Sequence, residues 1–356
     1  MFKNYTFDSS LPINRYSFEI FDIDIAVINS IRRVILSDIE IPGMIGEGND
    51  VSINIIANNG PLHNEYLIHR IGLIPICLKE GEVDSYEDNS IELELNMENT
   101  VNNTINVTTE NITATRNGIN VDKKELSTIF YPNKVSNDYI LITRLRNGEK
   151  LHFKGKVVKK NGKYNASFNP VCLANFSYMI DKTKINKDTN ILDKERQYFT
   201  NEYGDANYVK FELEPINKYL TPKYLINKAI EVIIEKLNNL IKEIKTENIE
   251  IKKYLDKDNT YEFNINNEND TVGNLVQSYI HNKFIRKKEK FKENTECLYC
   301  GYICPHPLKD LLIIRITLNE EKDKKVFANF LEYNLLGLID NLHSIKSEWN
   351  LFMNKD

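Results

Sequence analysis

The stretch from Tyr16 to Leu36, YSFEIFDIDIAVINSIRRVIL, carries the fold of this chain in two changes of period. Tyr16, Phe18 and Ile20 alternate with polar residues, the period of a half-buried strand. From Asp24 the apolar spacing lengthens to three and four residues, which predicts a helix through Leu36. A second stretch, Tyr261 to Ile280, YEFNINNENDTVGNLVQSYI, repeats the pattern. Tyr261, Phe263 and Ile265 alternate, and a helical pattern surrounds Asn274. The same offset separates Tyr16 from Tyr261 and Asn29 from Asn274. Strand followed by helix is a common local pattern, so the weight falls on that shared offset. Two related units in one chain predict two related modules packed on each other, a dimer made covalent.

A chain of 356 residues has room for two or three such modules and a sizeable core. Its 41% hydrophobic and 27% charged content is that of a globular protein. The net charge of −5 argues against a dedicated nucleic-acid binder, which carries excess Lys and Arg to displace counterions. No apolar run approaches a membrane span, and the first residues lack a signal peptide's hydrophobic stretch. The cysteines Cys77, Cys172, Cys297, Cys300 and Cys304 are too few and too unevenly spaced for a disulfide framework, so a reducing compartment is expected. The bias toward Asn, Lys and Ile fits an AT-rich genome.

Working outward, the first helix has two apolar stripes, Val27, Ile31 and Val34 on one side and Ile25, Ile28 and Ile35 on the other. A helix of that kind is sandwiched between partners. Pro42-Gly43 closes the unit, and from there to about Ile180 the pattern is mainly β, in Ser52–Ile56, Ile91–Leu95, Tyr139–Thr143, Leu151–Val157 and Lys163–Phe168. A short helix, Asn64 to Ile71, interrupts it. The acidic stretch Glu80–Asn89 and the Asn/Thr-rich stretch Asn96–Asn120 read as exposed loops or edge strands. Asp181 to Asn207 is polar and reads as a passage between domains, followed by a strand with Val209, Phe211 and Leu213 on one face. Thr221-Pro222 supplies an N-cap and a first-turn proline for a long helix through Ile226, Ile230, Ile233, Leu237, Leu240 and Ile244. A linker, Thr246 to Asn259, leads to the second unit. Gly301 to Leu308 reads as a turn into a strand, and Leu311 to Leu318 as a further strand. The final helix, from Phe327 to Phe352, carries a near-heptad seam through Leu331, Leu335, Leu338, Leu342, Ile345 and Trp349. Core packing explains part of each stripe; the length of the last leaves apolar surface for the helix after Thr221.

Catalytic signatures are absent: the sequence has no Gly-rich phosphate loop, nucleophile elbow or metalloprotease His pair. His63 and His69 flank the short helix, with Glu65 a turn before His69 and no third ligand nearby. Cys297-x-x-Cys300-x-x-x-Cys304-x-His306 could surround zinc, but a strand through its second pair would lead those ligands away from the first. Reduced cysteines are the plainer reading. The basic loop Lys283–Lys292 could touch nucleic acid or an acidic partner; such runs are more often solvated faces, and Phe284 and Phe291 are too isolated for a stacking platform. A binding scaffold is indicated ahead of an enzyme, with a zinc-binding or a nucleic-acid-binding module as the alternatives.

Several stretches resemble the α-type subunits that assemble cellular RNA polymerases. Asn29-Ser-Ile-Arg-Arg-Val-Ile-Leu-Ser-Asp38 is similar to that family's first-helix signature. Asn64-Glu-Tyr-Leu-Ile-His-Arg-Ile-Gly-Leu-Ile-Pro-Ile76 is similar to its next signature. Leu145-x-x-Gly148, Lys163 and Ala166-Ser-Phe-Asn-Pro-Val171 resemble the returning strands of its insertion domain, and Tyr219-Leu-Thr-Pro-Lys-Tyr-Leu225 the start of its long helix. Asn269 to Tyr279 and Gly301-Tyr-Ile-Cys-Pro-His-Pro-Leu308 resemble the smaller α-like partner. In this order, over nearly the whole chain, they resemble a fusion of the third-largest and eleventh subunits of eukaryotic RNA polymerase II, of the archaeal D/L and bacterial α type, a form met in large DNA viruses.

The resemblance implies an α+β fold: two α-type dimerisation modules forming an intramolecular pseudo-dimer, with a mainly β insertion domain in the first. Residues 1–43 and 196–245 would form the larger dimerisation domain, 44–195 the insertion, 246–260 the linker and 261–356 the smaller dimerisation domain. It implies no catalytic residues and no cofactor. The metal loop that some relatives carry in the insertion has no counterpart, because Glu80–Asn120 contains no cysteine. Implied partners are the two largest polymerase subunits, β-like and β′-like, and small zinc-ribbon-type subunits, without direct DNA or membrane contact. Docking residues would be Asn29, Arg32, Arg33, Leu36, His69, Arg70, Gly72 and Pro75, with Arg33 and Leu36 against the β-like subunit. The pseudo-dimer interface would hold Val27, Ile31, Ile230, Leu237, Leu275, Tyr279, Leu335 and Leu342. The location implied is intracellular, in host cytoplasm or virion for a viral chain and in the nucleus for a cellular one.

Overall fold

The structure, a computed structural model, describes residues 1–354 apart from 12, 186–189, 256, 258, 293–294 and 307. In chain order, β1 (Phe2–Asp8) and β2 (Arg15–Phe21) form an antiparallel hairpin, followed by α1 (Ile25–Ser37) and β3 (Glu40–Gly43). Next come β4 (Ile53–Asn58), α2 (Asn64–Gly72), α3 (Glu80–Asp84), β5 (Ile91–Glu98), β6 (Ile105–Thr108), β7 (Thr113–Arg116), β8 (Ile119–Asn120), α4 (Lys123–Ile129), β9 (Leu141–Leu145), β10 (Lys150–Lys156) and β11 (Val158–Asn161). The chain then forms β12 (Val171–Tyr178), α5 (Ile191–Lys194), β13 (Tyr208–Pro215) and α6 (Pro222–Lys245). It ends in β14 (Glu250–Lys253), β15 (Thr260–Asn266), α7 (Asp270–Ile280), β16 (Cys297–Ile303), β17 (Leu311–Leu318) and α8 (Lys324–Met353).

Two four-stranded antiparallel sheets, β1-β2-β13-β12 and β14-β15-β17-β16, have the same topology. In each, the first, second, fourth and third strands lie side by side. A shorter helix follows the second strand (α1 or α7) and a long one the fourth (α6 or α8). The internal repeat is therefore structural. The elements from β3 to β11 enter between α1 and the third strand. In the second unit the corresponding connection is short and begins with the π-helical turn His281–Arg286. The inserted stretch holds a five-stranded sheet, β4-β10-β5-β7-β8, and two small ones, β11-β3 and β6-β9.

Local chemistry starts and stops these elements. Asp24 caps α1 by accepting a hydrogen bond from the Ala26 N–H at 2.7 Å. Thr221 caps α6 through the Tyr224 N–H at 3.2 Å, ahead of Pro222. Every second residue of β13 is buried, including Val209, Phe211 and Leu213.

Several expectations change. Lys163–Phe168 is a turn ending in the 3-10 helix Ala166–Phe168, because the Asn165 side chain accepts from the Ser167 N–H at 2.8 Å and offers the backbone a local partner. The stretch expected to be insertion, 44–195, contains β12, which pairs with β13 in the first sheet. The expected linker, 246–260, contains β14, paired with β15. Asn96–Asn120 is less exposed than its composition implies, since Val107, Ile112 and Ala114 are buried. In Gly301–Leu308 the strand precedes the turn, and Pro307 of that motif lies outside the described residues. Among the described residues no helix is long and apolar enough to cross a membrane.

The far end of α8 closes the first sheet. Trp349 is fully buried, its ring centroid 4.7 Å from Phe18 on β2 and 5.0 Å from Phe2 on β1. Phe18 in turn stacks on Phe211 of β13 at 5.4 Å. A helix from the second unit thus fills the core of the first. Trp349→Ala should lower the global unfolding free energy by about 3–5 kcal/mol in a urea titration, as a large core truncation does. A loss under about 1 kcal/mol would show that the first core is closed without it.

Candidate functional site

The two short helices meet reciprocally. From α1, Arg33 donates through Nε to the Thr271 hydroxyl at 2.8 Å, at the start of α7. From α7, Ser278 donates to the Asp24 carboxylate at 2.6 Å, at the start of α1. Arg33 and Ser278 are equivalent positions of the internal repeat, since each stands four residues after the shared asparagine. Asn282 also donates to Asp24, at 2.6 Å. An isologous interface makes its contacts in this paired fashion. Asp24 therefore has two tasks, capping its own helix with one oxygen and binding the opposite unit with the other. A cleft of about 760 Å³ opens beside it, lined by Asp205, Asn274, Gln277 and Arg286 among others, and the Arg286–Asp205 ion pair crosses it.

The two long helices run antiparallel across the same seam. Lys223 reaches Asn354 at 2.7 Å, Asn227 reaches Asn350 at 2.7 Å, Lys346 pairs with Glu231 at 2.7 Å and Lys245 with Glu332 at 3.0 Å. Each four-residue step up α6 matches a four-residue step down α8, so the pairs sit on one face of each helix. Of the residues expected at this seam, Val27, Ile31, Ile230, Leu237, Leu275, Leu335 and Leu342 are buried in one continuous core. Tyr279 is half-buried and stands over Gly337, where an added Cβ would come within 2.5 Å of its hydroxyl. That places Tyr279 between α7 and α8, inside the second unit.

A charged triad ties the α1 end of the seam. Lys236 on α6 pairs with Asp38 at 2.8 Å and lies 3.8 Å from Glu268, which precedes α7. Burial pushes the Lys236 amine down, yet the two carboxylates outweigh it and the net direction is up. Glu268 is pushed up by burial, against the pull of Lys236. None of these three was identifiable from the sequence, because their partners are distant in the chain.

The expected docking residues divide. Asn29 and Arg32 lie half-buried on the remaining face of α1, where the Asn29 Oδ1 accepts from the Arg32 Nε at 3.0 Å. Burial, and then the charge of Arg33, pushes the Arg32 guanidinium down from its ordinary value. No acidic side chain pairs with Arg32 among the described residues. Arg33 is instead taken up by Thr271. Leu36 packs partly on the core. His69 is exposed and pairs with Glu47 at 2.8 Å. Arg70 donates to the Leu141 carbonyl at 2.8 Å and the Ile142 carbonyl at 3.2 Å, clamping α2 to β9. Gly72 faces Gly46 so closely that a Cβ would come within 2.7 Å of the Gly46 Cα. Pro75 lines a cavity that opens to the surface.

The cysteine cluster is dispersed. Cys297 and Cys300 are buried on β16, whereas Cys304 lies half-buried beyond its end. Burial pushes the Cys297 thiol up to about 12 and Cys300 well above its usual value. His306 accepts from the Leu308 N–H at 3.1 Å. No three His, Cys, Asp or Glu side chains come together among the described residues. In the basic loop Phe284 and Phe291 are buried against Phe330, Arg286 pairs with Asp205 and Lys290 with Glu296. Those aromatics belong to the core and offer no stacking surface to a base.

Comparison with known proteins bears on the whole seam. The RNA polymerase Rpb3/Rpb11 dimerisation domain matches this chain twice, over residues 17–237 and 260–347. Among similar proteins, the Conjugation stage-specific protein of Tetrahymena thermophila is 28% identical over 179 residues, 45% of this chain and 54% of the relative. DNA-directed RNA polymerase II subunit rpb3 of Dictyostelium discoideum is 26% identical over 165 residues, 44% of this chain and 51% of the relative. DNA-directed RNA polymerases I and III subunit RPAC1 of Homo sapiens is 28% identical over 204 residues, 51% of this chain and 56% of the relative. The chain thus spans about half the length of the curated relatives it matches.

Lys236→Met leaves the Asp38 and Glu268 carboxylates together without their cation. The variant should be less stable at pH 7 by about 3 kcal/mol, the cost of breaking a largely buried pair. A carboxyl with a folded pKa above its ordinary 4.5 binds more protons folded than unfolded, so the variant should regain stability as pH falls toward that value. Urea titrations of both proteins at pH 7 and pH 5 measure this, and a gap that stays constant would mean the loss is one of packing.

Proposed function

Because this chain belongs to the family of the RNA polymerase Rpb3/Rpb11 dimerisation domain, we propose that it is a non-catalytic assembly subunit of a multisubunit DNA-directed RNA polymerase. Its two modules make an intramolecular pseudo-dimer. The first module comprises β1, β2, α1, β12, β13 and α6, with β3 to β11 as its insertion; β14 to α8 make the second. The pseudo-dimer is the platform on which the two largest, catalytic subunits dock, β-like and β′-like, with small zinc-ribbon-type subunits alongside. Its place is that of the polymerase it assembles, the nucleus for a cellular enzyme and host cytoplasm or virion for a viral one.

One observation carries this reading: two units of equal topology joined by reciprocal helix contacts, as the family's name for the domain implies. Physically, α1 is apolar on the faces toward α6 and α7 and presents Asn29 and Arg32 on the remainder. A half-buried guanidinium without an acidic partner among the described residues is poised for a carboxylate on another chain. We assign the docking contact with the β-like subunit to Arg32, helped by Asn29, Leu36 and His69. Arg33, held by Thr271, belongs to the seam, the exposed Arg70 holds α2 to β9, and Gly72 and Pro75 shape the surface from beneath.

Arg32→Glu should abolish co-purification of the two large subunits while the chain stays folded, since an interfacial charge left unpaired costs about 2–5 kcal/mol. Recovery of both subunits at normal yield would overturn the assignment. Tethering holds the modules at an effective concentration on the order of millimolar. Proteolytic cleavage between Tyr254 and Asn259 should therefore leave two fragments that elute together on a sizing column in native buffer, and their separation would count against a seam strong enough to act as a platform.

A further inference from the structure

A cavity of about 380 Å³ lies away from the seam, between the residues leading into β2, the α4–β9 connection and the turn before α6. Ile13, Tyr16, Cys77, Phe130, Ile140 and Leu220 give it a mainly apolar wall. Its size falls at the lower end of the range for sites that enclose small molecules, and apolar walls with a few convergent polar groups are the usual composition of such sites. The polar groups are ordered. The Tyr131 hydroxyl donates to the Ile216 carbonyl at 3.1 Å and accepts from the Lys218 N–H at 3.2 Å. The Lys218 ammonium stands 4.1 Å from the Tyr131 ring centroid, and Lys134, also exposed, reaches Asn14. Two ammonium groups thus flank the cavity against one acid, Asp138. At the inner wall stands the buried Cys77 thiol, which burial pushes up to about 11.

We propose that this cavity binds a small amphipathic carboxylate, with the apolar chain against Ile129, Phe130 and Leu220 and the carboxylate between Lys134 and Lys218. The charge order is what selects the ligand: a purely apolar molecule would leave both ammonium groups unused, and a dianion would meet Asp138. Fixed ammonium groups at the mouth of an apolar pocket favour one negative charge at the solvent end. None of the residues involved takes part in the helix seam.

The test uses the full chain with dodecanoate as probe and dodecan-1-ol as its uncharged match. Calorimetry should show saturable dodecanoate binding, with the alcohol weaker by about tenfold or more, the loss expected when a charge-assisted contact is removed. The exposed double substitution Lys134→Glu with Lys218→Glu should cost dodecanoate a similar factor and leave the alcohol unchanged. Independently of any variant, bound dodecanoate should slow iodoacetamide alkylation of Cys77, read by peptide mass spectrometry, and leave the exposed Cys172 unaffected. Equal binding of acid and alcohol, or alkylation of Cys77 unchanged at saturating dodecanoate, would overturn the proposal.

Discussion

The antiparallel register of α6 against α8 is the constraint on which the rest depends. Both helices carry more apolar surface than their own sheets cover, and that surface can be removed from water only across the seam. Pairing α6 with α8 buries Leu237 and Leu240 with Leu335 and Leu342 in one core. It also brings Trp349 onto Phe2 and Phe18, so the first sheet is finished by the last helix of the chain. The polar pairs along the register sit at the margin of this contact. They add little energy where exposed, but a slip of one turn would break all of them at once, so they fix the alignment.

Equal topology with unequal chemistry makes the pairing directional. At the equivalent repeat positions α1 has Arg32 and Arg33, and α7 has Gln277 and Ser278. The reciprocal contacts therefore differ in kind. Arg33 binds a neutral hydroxyl, whereas Ser278 and Asn282 bind a carboxylate. Two copies of the first unit would set Arg33 opposite Ala26 of a second α1, with no Thr271 hydroxyl to receive it. The insertion adds a further asymmetry, since it occupies in one unit the position of the short turn after α7 in the other. Fusion holds the two unlike units together at a fixed ratio.

Much of this was legible because it is local. Period-two strands, three-and-four helices and the Thr221-Pro222 cap depend on neighbours within a few residues, and the repeat of Tyr16 at Tyr261 shows as two such local patterns. The failures share the opposite property. Lys163–Phe168 alternates like a strand, but asparagine side chains close the backbone into a turn first. β14 is a four-residue edge strand rich in charge, and nothing in its composition separates it from a linker. β12 reads like any strand of the inserted region, and only its pairing with β13 assigns it to the first sheet. Asp38, Lys236 and Glu268 look like solvated charges until the fold brings them together.

The residues that carry the sequence resemblance fall into two physical groups, and the grouping changes what a shared motif says about function. Arg70 is committed to two carbonyls of β9, and Gly72 is there because the backbone of Gly46 leaves no space for a Cβ. Arg33 is committed to Thr271. These positions would be required by the fold if the chain never met another protein. Arg32 differs: it is charged and partly desolvated, and among the described residues its one hydrogen bond goes to a neutral amide a turn away. Holding a guanidinium in that state costs free energy in the isolated chain, since burial and a neighbouring cation both disfavour its charge. A carboxylate from a docking partner would reverse that cost. A motif match alone weights Arg32, Arg33 and Arg70 equally; the partners each has already found set Arg32 apart, and the proposed docking contact rests on that difference.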